Sequence, residues 1–350
     1  MGTGDCIELL RQMIATPSVS GEEAAVAALL ERRIGDSGLR VHRKGNNLWM
    51  DSADLVPCNG PVILLNAHID TVKPSASYTR DPFDASVEDG RIYGLGSNDD
   101  GASVVSMLAA FIELTSRPQP YRLIWTATAE EENSGTGGLE MILPELCKVD
   151  FGIFGEPTGM RLAVAERGLM VLDCTEHGVS GHAARVEGEN AIYKALADIE
   201  WFRGFCFPKV SDFLGPVKMT VTMIESGTQH NVVPDLCKFV VDVRPNGLYS
   251  NEWLLGFIRE HVNCDVKARS VRHGSSGISM SHPFVQKCIS SGLECFGSPT
   301  LSNWALVDFP AVKIGPGDSS RSHGSDEFVL VSEINEAIDV YIDLLDGFCL

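Results

Sequence analysis

The sequence predicts an α/β protein in two parts: a domain built on a largely parallel sheet, and an α+β domain of ferredoxin-like order inserted into it. Three observations carry this. Up to Phe154, short wholly apolar runs alternate with segments of helical spacing. From Leu169 to Val271 the strands alternate only in part, and their order with the intervening helices reads βαββαβ. After Ser276 helical and short strand signals return, so the first domain resumes after the insertion. The expected division is 1–169 with 275–350 for the first domain and 170–274 for the insertion. A chain of 350 residues has ample material for two cores.

Each element has a local reason. Ile7, Leu9, Leu10 and Met13, then Ala24, Val26, Leu29 and Leu30, recur at helical spacing on either side of a break at Thr16-Pro17-Ser18. Ser20-Gly21-Glu22-Glu23 opens the second of these helices as a capping box. Val62 to Asn66 is a short apolar run that fits a buried strand. Ala102 to Leu114 reads as a helix, Leu123 to Thr128 as a second buried strand and Gly152 to Phe154 as a third. In the insertion, strands are expected at Leu169 to Thr175, Val217 to Ile224, Lys238 to Val243 and Val266 to Val271. Helices are expected there at Asn190 to Phe202 and Glu252 to Val262, and a last helix at Ser332 to Phe348.

Composition removes several functions. Lys and Arg number 28 against 47 Asp and Glu, a formal charge of −19, which opposes binding to nucleic acid or to an anionic membrane. No apolar run reaches the roughly 18–20 residues of a spanning helix, and the start lacks the basic and apolar blocks of a secretory signal. The ten cysteines form no CxxC pair, so they read as reduced thiols of a cytoplasmic protein. Most of the surplus acid is expected to serve solubility. The sharper question is whether some acids cluster for chemistry.

Several segments fall at expected strand ends or in the loops after them, the edge at which α/β sheets collect ligands. Ala67-His68-Ile69-Asp70 puts a His and an Asp two apart, so the carboxylate can sit beside or behind the imidazole and fix its tautomer. Gly94-Leu95-Gly96-Ser97-Asn98-Asp99-Asp100-Gly101 is a glycine-rich loop with two acids where a phosphate loop carries Lys, which suits a cation. Glu130-Glu131-Glu132 follows an apolar strand, where three acids repel unless solvated or bound to metal. Gly155-Glu156-Pro157 holds one carboxylate in a turn, and Gly315 to Glu327 carries the late His323. Taken singly, each of these also has an ordinary reading as a turn, a cap or a solvated loop.

Together and in this order, they resemble the aminoacylase/acetylornithine deacetylase/carboxypeptidase G family of di-zinc hydrolases. The inserted segments Ser180-Gly181-His182-Ala183-Ala184 and Gly227-Thr228-Gln229-His230-Asn231-Val232-Val233-Pro234-Asp235 match that family as well. The resemblance implies a zinc-exopeptidase type of catalytic domain and a lid through which the family usually dimerises. It makes Asp99 the carboxylate bridging two metals, with His68 and Glu156 completing one site and Glu132 and His323 the other. Glu131 is the implied general base, Asp70 the partner of His68, and His182 an oxyanion donor that reaches a partner's site. The residue types agree with zinc, with cobalt or manganese as substitutes.

The sequence departs from the family at two places. Asp100-Gly101 follows the bridging acid where the family has an uncharged residue and then Lys or Gly. The usual substrate-gripping Arg is not evident in Thr300-Leu301-Ser302-Asn303-Trp304, which leaves Arg167, Arg244 or Arg321, together with Asn231, as candidates to hold substrate. In the family, the peptide after the bridging Asp is typically cis. The function expected from the resemblance is hydrolysis of an N-acyl amino acid, first an acetylornithine or acylcitrulline of arginine biosynthesis. A succinyl-diaminopimelate desuccinylase or a dipeptidase is the alternative. A non-catalytic metal-binding protein is the rival of another class, and the intact Glu131 argues against it.

Overall fold

In the computed structural model, which describes residues 3–56, 58–185 and 187–350, the chain divides into two units. The first comprises the residues through Val164 with Ile278–Phe296 and Ser302–Leu350; the second comprises Ala165–Gly277 and Gly297–Leu301. The sequence reading assigned 165–169, 275–277 and 297–301 to the first domain. They pack with the second because Ser276 pairs with Glu166, and the Arg167 N–H donates to the Ser298 carbonyl at 3.1 Å.

In the first unit, helices α1 (Thr3–Ile14) and α2 (Ala24–Asp36) lead into strands β1 (His42–Lys44), β2 (Asn47–Asp51) and β3 (Val62–His68). Helix α3 (Ala102–Thr115), strands β4 (Arg122–Thr128), β5 (Phe151–Phe154) and β6 (Leu162–Glu166, whose last two residues fall in the second unit), helix α4 (Pro283–Ser290), strand β7 (Ala311–Lys313) and helix α5 (Val331–Leu345) follow. The sheet order is β1-β2-β4-β3-β5-β7-β6. Its centre, β4-β3-β5-β7, is parallel, and its flanks are antiparallel. Every residue of β3 and of β5 is buried, which is why Val62–Leu65 and β5 read as apolar runs rather than alternating ones. Helix α3 is likewise buried on nearly all sides. It lies in one core with α1, α2, the sheet and α5. The Tyr341 hydroxyl ties α5 to the Ile314 carbonyl at 2.7 Å, and the Tyr121 hydroxyl donates to the Leu345 carbonyl at 2.9 Å.

Register places the chemistry. His68 at the end of β3 lies level with Thr128 at the end of β4, and Asn66 with Phe154 at the end of β5. The segments after these residues therefore leave the sheet at one edge.

The second unit has a four-stranded antiparallel sheet in the order Lys218–Ser226, Leu236–Arg244, Met170–His177, Asp265–Ala268. With helices Ala191–Gly204 and Asn251–His261 this is the βαββαβ arrangement in ferredoxin-like order. Met170, Leu172 and Cys174 alternate with half-buried Val171, Asp173 and Thr175. The buried face packs on Ala191, Ala195, Phe202, Leu254 and Ile258 of the helices.

All ten cysteines are free thiols. Among the described residues, no helix is long and apolar enough to cross a membrane.

Candidate metal centre

His68 closes β3 with its side chain buried. Its Nδ1 lies 2.9 Å from the backbone carbonyl of Asp70 and 3.5 Å from that residue's Oδ1. The carbonyl can only accept, so Nδ1 carries the proton and Nε2 faces Asp99, 3.1 Å from its Oδ1. The carboxylate of Asp70 also holds the acidic loop. Oδ1 accepts the Glu131 N–H and Oδ2 the Glu132 N–H, both at 3.0 Å, and Ser20 Oγ donates to Oδ2 at 2.7 Å.

Ser20 thus does not cap a helix. Helix α2 starts at Ala24, and Glu23 makes no side-chain cap. Glu23 is buried instead and accepts N–H groups from Gly21 at 2.5 Å and Glu130 at 3.4 Å. Three consecutive amides of the acidic loop therefore hang from two buried carboxylates. Glu130 sits at φ +56° and turns its own carboxylate to the Gly137 N–H, away from the cluster.

The bridging candidate lies between two imidazoles. His323 Nε2 is 3.8 Å from Asp99 Oδ2 and 3.0 Å from both oxygens of Glu132. Ligand atoms of His68, Asp99 and Glu132 lie within 4.8 Å of one another. The Asp99–Asp100 peptide is cis. Gly101 is one of the two residues the family takes at this place, and a Cβ there would stand 2.6 Å from the Gly96 carbonyl oxygen and 2.7 Å from Leu10 Cδ1.

Electrostatics show what the cluster wants. Burial pushes Glu131 up to about 8, with the charges of Glu132, Asp70 and Asp99 adding to the rise against His68. Burial also lifts Glu156 well above the carboxylate range; Lys313 opposes this while Asp99, Glu131 and Asp100 reinforce it. Glu132 rises for the same two reasons. Asp99 is held low: burial opposes this, but the hydrogen bond to His68 and the charges of His68 and His323 win. His323 is raised to about 9 chiefly by its bond to Glu132. His68 rises well above its ordinary value although burial opposes it, because Asp70 and Asp99 accept from it. Such a set shares protons in place of positive charge. Two imidazoles with crowded carboxylates also match the donors of a pair of divalent cations, so the residues present fit such a group.

A pH dependence follows for protein stripped with a chelator. Glu131, Glu156, Glu132, His68 and His323 all bind their protons more tightly folded than unfolded. Their contribution to stability is therefore complete below the unfolded values and is lost as pH rises through the folded ones. Asp70 and Asp99 act in the opposite sense, but only in more acid solution, below the ordinary Asp value of 3.8. The melting temperature of the stripped protein should fall between about pH 5 and pH 9, and added zinc should flatten that slope. A melting temperature that stays level or rises over this range in the stripped protein would count against the cluster.

In the second unit, Gly181–His182 pairs with Val232–Val233, and the Ala183 N–H donates to the Asn231 carbonyl at 3.0 Å. The two segments singled out in the insertion are thus neighbours. His182 is exposed, and its Nδ1 accepts the Ala184 N–H at 3.1 Å, which leaves Nε2 as the protonated nitrogen.

The three candidate arginines are all engaged. Arg167 is buried and donates to the carbonyls of Pro216, Arg244 and Leu214. Arg244 pairs bidentately with Asp242 at 2.7 and 3.0 Å, and Arg321 with Glu333 at 2.8 and 3.0 Å. A substrate carboxylate would have to compete with these partners.

A histidine and carboxylate cluster at the C-terminal edge of a parallel sheet, with several acids pushed up by burial, is the arrangement expected of a metal-dependent hydrolase. Residues 64–347 match the model of peptidase family M20/M25/M40, and the chain belongs to that family. It is 26% identical over 386 residues to succinyl-diaminopimelate desuccinylase 2 of Ruegeria sp. (strain TM1040), covering 98% of this chain and 95% of the relative. It is 29% identical over 361 residues to the succinyl-diaminopimelate desuccinylase of Corynebacterium glutamicum, covering 95% and 94%. It is 25% identical over 377 residues to the acetylornithine deacetylase of Proteus mirabilis, covering 98% and 97%. In fold it is similar to the crystal structure of a tripeptidase from Staphylococcus aureus, with a TM-score of 0.79 at 19% identity, over 99% of this chain and 98% of that one.

Proposed function

We propose that the chain hydrolyses the amide bond of an N-succinyl amino acid, with N-succinyl-diaminopimelate the first substrate to test, using a pair of divalent metal ions, zinc first, that Asp99 would help to hold. The observation that carries this is Asp99 itself, with one oxygen facing His68 and the other facing His323. His68, Asp99 and Glu156 would hold one ion, and Asp99, Glu132 and His323 the other. Two divalent ions so held supply Lewis acidity and a water acidic enough to attack at neutral pH.

The chain's own residues do the rest. The Glu131 carboxylate takes a proton from the attacking water and delivers it to the leaving amine. Asp70 fixes the backbone of Glu131 and Glu132, so base and ligand keep their spacing. His182, whose Nδ1 accepts the Ala184 N–H, would donate from Nε2 to the developing oxyanion in the site of a second copy.

The succinyl choice replaces the arginine-pathway substrate expected from sequence. Two of the three relatives described above, including the one of highest identity, are named desuccinylases, and the third is a deacetylase.

A homodimer through the inserted domain is part of the proposal. Lys218–Ser226 is an edge strand paired on one side, and Met223 and Ile224 are 63% and 57% exposed on it, an open edge of the kind a second copy covers. Parallel assays of N-succinyl-diaminopimelate, N-acetylornithine and dipeptides with zinc added test the reading, alongside the mass in solution. Turnover of the succinyl substrate at least about tenfold above the others, a preference worth about 1.4 kcal/mol, and a dimer mass are expected. Cleavage of dipeptides alone would exclude the deacylase reading, and a monomer mass would exclude the interface.

A further inference from the structure

Glu327 stands four residues beyond His323 and is 2% exposed, close to a cluster already rich in acid. Its Oε1 accepts two successive amides, the Asn98 N–H at 2.8 Å and the Asp99 N–H at 3.0 Å. Its backbone carbonyl accepts the Gly94 N–H at 2.9 Å. The neighbouring Asp326 takes up the other side, accepting from Thr79 N, Thr79 Oγ1 and Arg80 N.

The bracing is mutual. Asn98 Oδ1 accepts the Asp318 N–H at 2.9 Å, and Asn98 Nδ2 donates to the Asp318 carbonyl at 3.1 Å and to Ser322 Oγ at 3.3 Å. The loop that delivers Asp99 and the loop that delivers His323 are therefore one hydrogen-bonded body.

An Asp side chain readily bonds nearby backbone N–H groups, which would draw its oxygens away from other partners. Glu327 occupies the N–H groups of residues 98 and 99, so both oxygens of Asp99 remain directed at His68 and His323.

We propose that Glu327 is a positioning residue, which sets Asp99 for bridging by holding the two amides at its base and locking its loop to that of His323. This rests on the two-ion reading above. The test is titration of stripped protein with cobalt alone, following both the binding isotherm and the visible absorption of the bound ion. Glu327→Asp keeps the charge but shortens the reach, whereas Glu327→Gln keeps the reach and an accepting oxygen.

Glu327→Asp should weaken cobalt binding about 10–100-fold and alter the spectrum, as loss of an outer partner of a ligand does, while Glu327→Gln stays within about threefold of wild type. Wild-type affinity and spectrum in Glu327→Asp would overturn the proposal. So would a Glu327→Gln protein as weak as Glu327→Asp, because charge rather than position would then be at work. A wild-type protein that takes up fewer than two cobalt ions overturns the two-ion reading, and the role of Glu327 with it.

Discussion

Glu131→Gln should lower turnover by about 10²–10⁴-fold, the range set by loss of a general base, while the protein keeps its full complement of metal. The substitution preserves size and removes only the ability to take a proton. The Glu131 backbone stays fixed because its N–H is held by Asp70 Oδ1, and the amide side chain does not disturb that bond. KM should change little, because the proton transfer belongs to the transition state. A rate within tenfold of wild type would remove Glu131 from the base role. Loss of metal together with rate would make it a ligand instead.

Asp99→Asn should have the larger effect on metal, because in the proposed centre one side chain would serve both ions. The amide keeps one accepting oxygen but replaces the other with a donor, and it removes the charge shared between the two imidazoles. Both ions should be lost, and turnover should fall below detection. Glu132→Gln and Glu156→Gln should each weaken one ion only, Glu132 the one with His323 and Glu156 the one with His68. That contrast separates a bridge from a set of independent ligands.

His68, Asp99 and Glu132, whose ligand atoms lie within 4.8 Å of one another, were legible before the structure. His68, Asp99, Glu131, Glu132 and Glu156 lie in short motifs after apolar runs, and the parallel register of β3, β4 and β5 brings those strand ends level. What escaped is the layer that holds them. Ser20 meets Asp70 across 50 residues of chain and Glu327 meets Asp99 across 228, and no local pattern announces such bonds. Ser20 to Glu23 even carried a misleading signal, since the capping-box spacing was present but both side chains serve the acidic loop instead. Only the run of two acids after His323 hinted at Glu327.

The fold shows the same division. Long apolar or alternating segments were readable. The strand Ala311–Lys313 was not, because it is three residues long and ends in a fully buried Lys. The edges of the inserted unit were displaced because segments 165–169 and 297–301 meet through tertiary hydrogen bonding rather than through any change in composition. Expectations about substrate rested on motif likeness alone, and the arginine-pathway choice gave way to the succinyl alternative once relatives were compared.

The central claim is that one carboxylate, Asp99, joins two metal ions in this chain. The most direct test is the metal content of wild-type and Asp99→Asn proteins, both refilled with zinc and then dialysed against metal-free buffer. Two ions per chain are expected in wild type and fewer than one in the variant, with folding verified by circular dichroism. Two ions retained by a folded Asp99→Asn protein would contradict it.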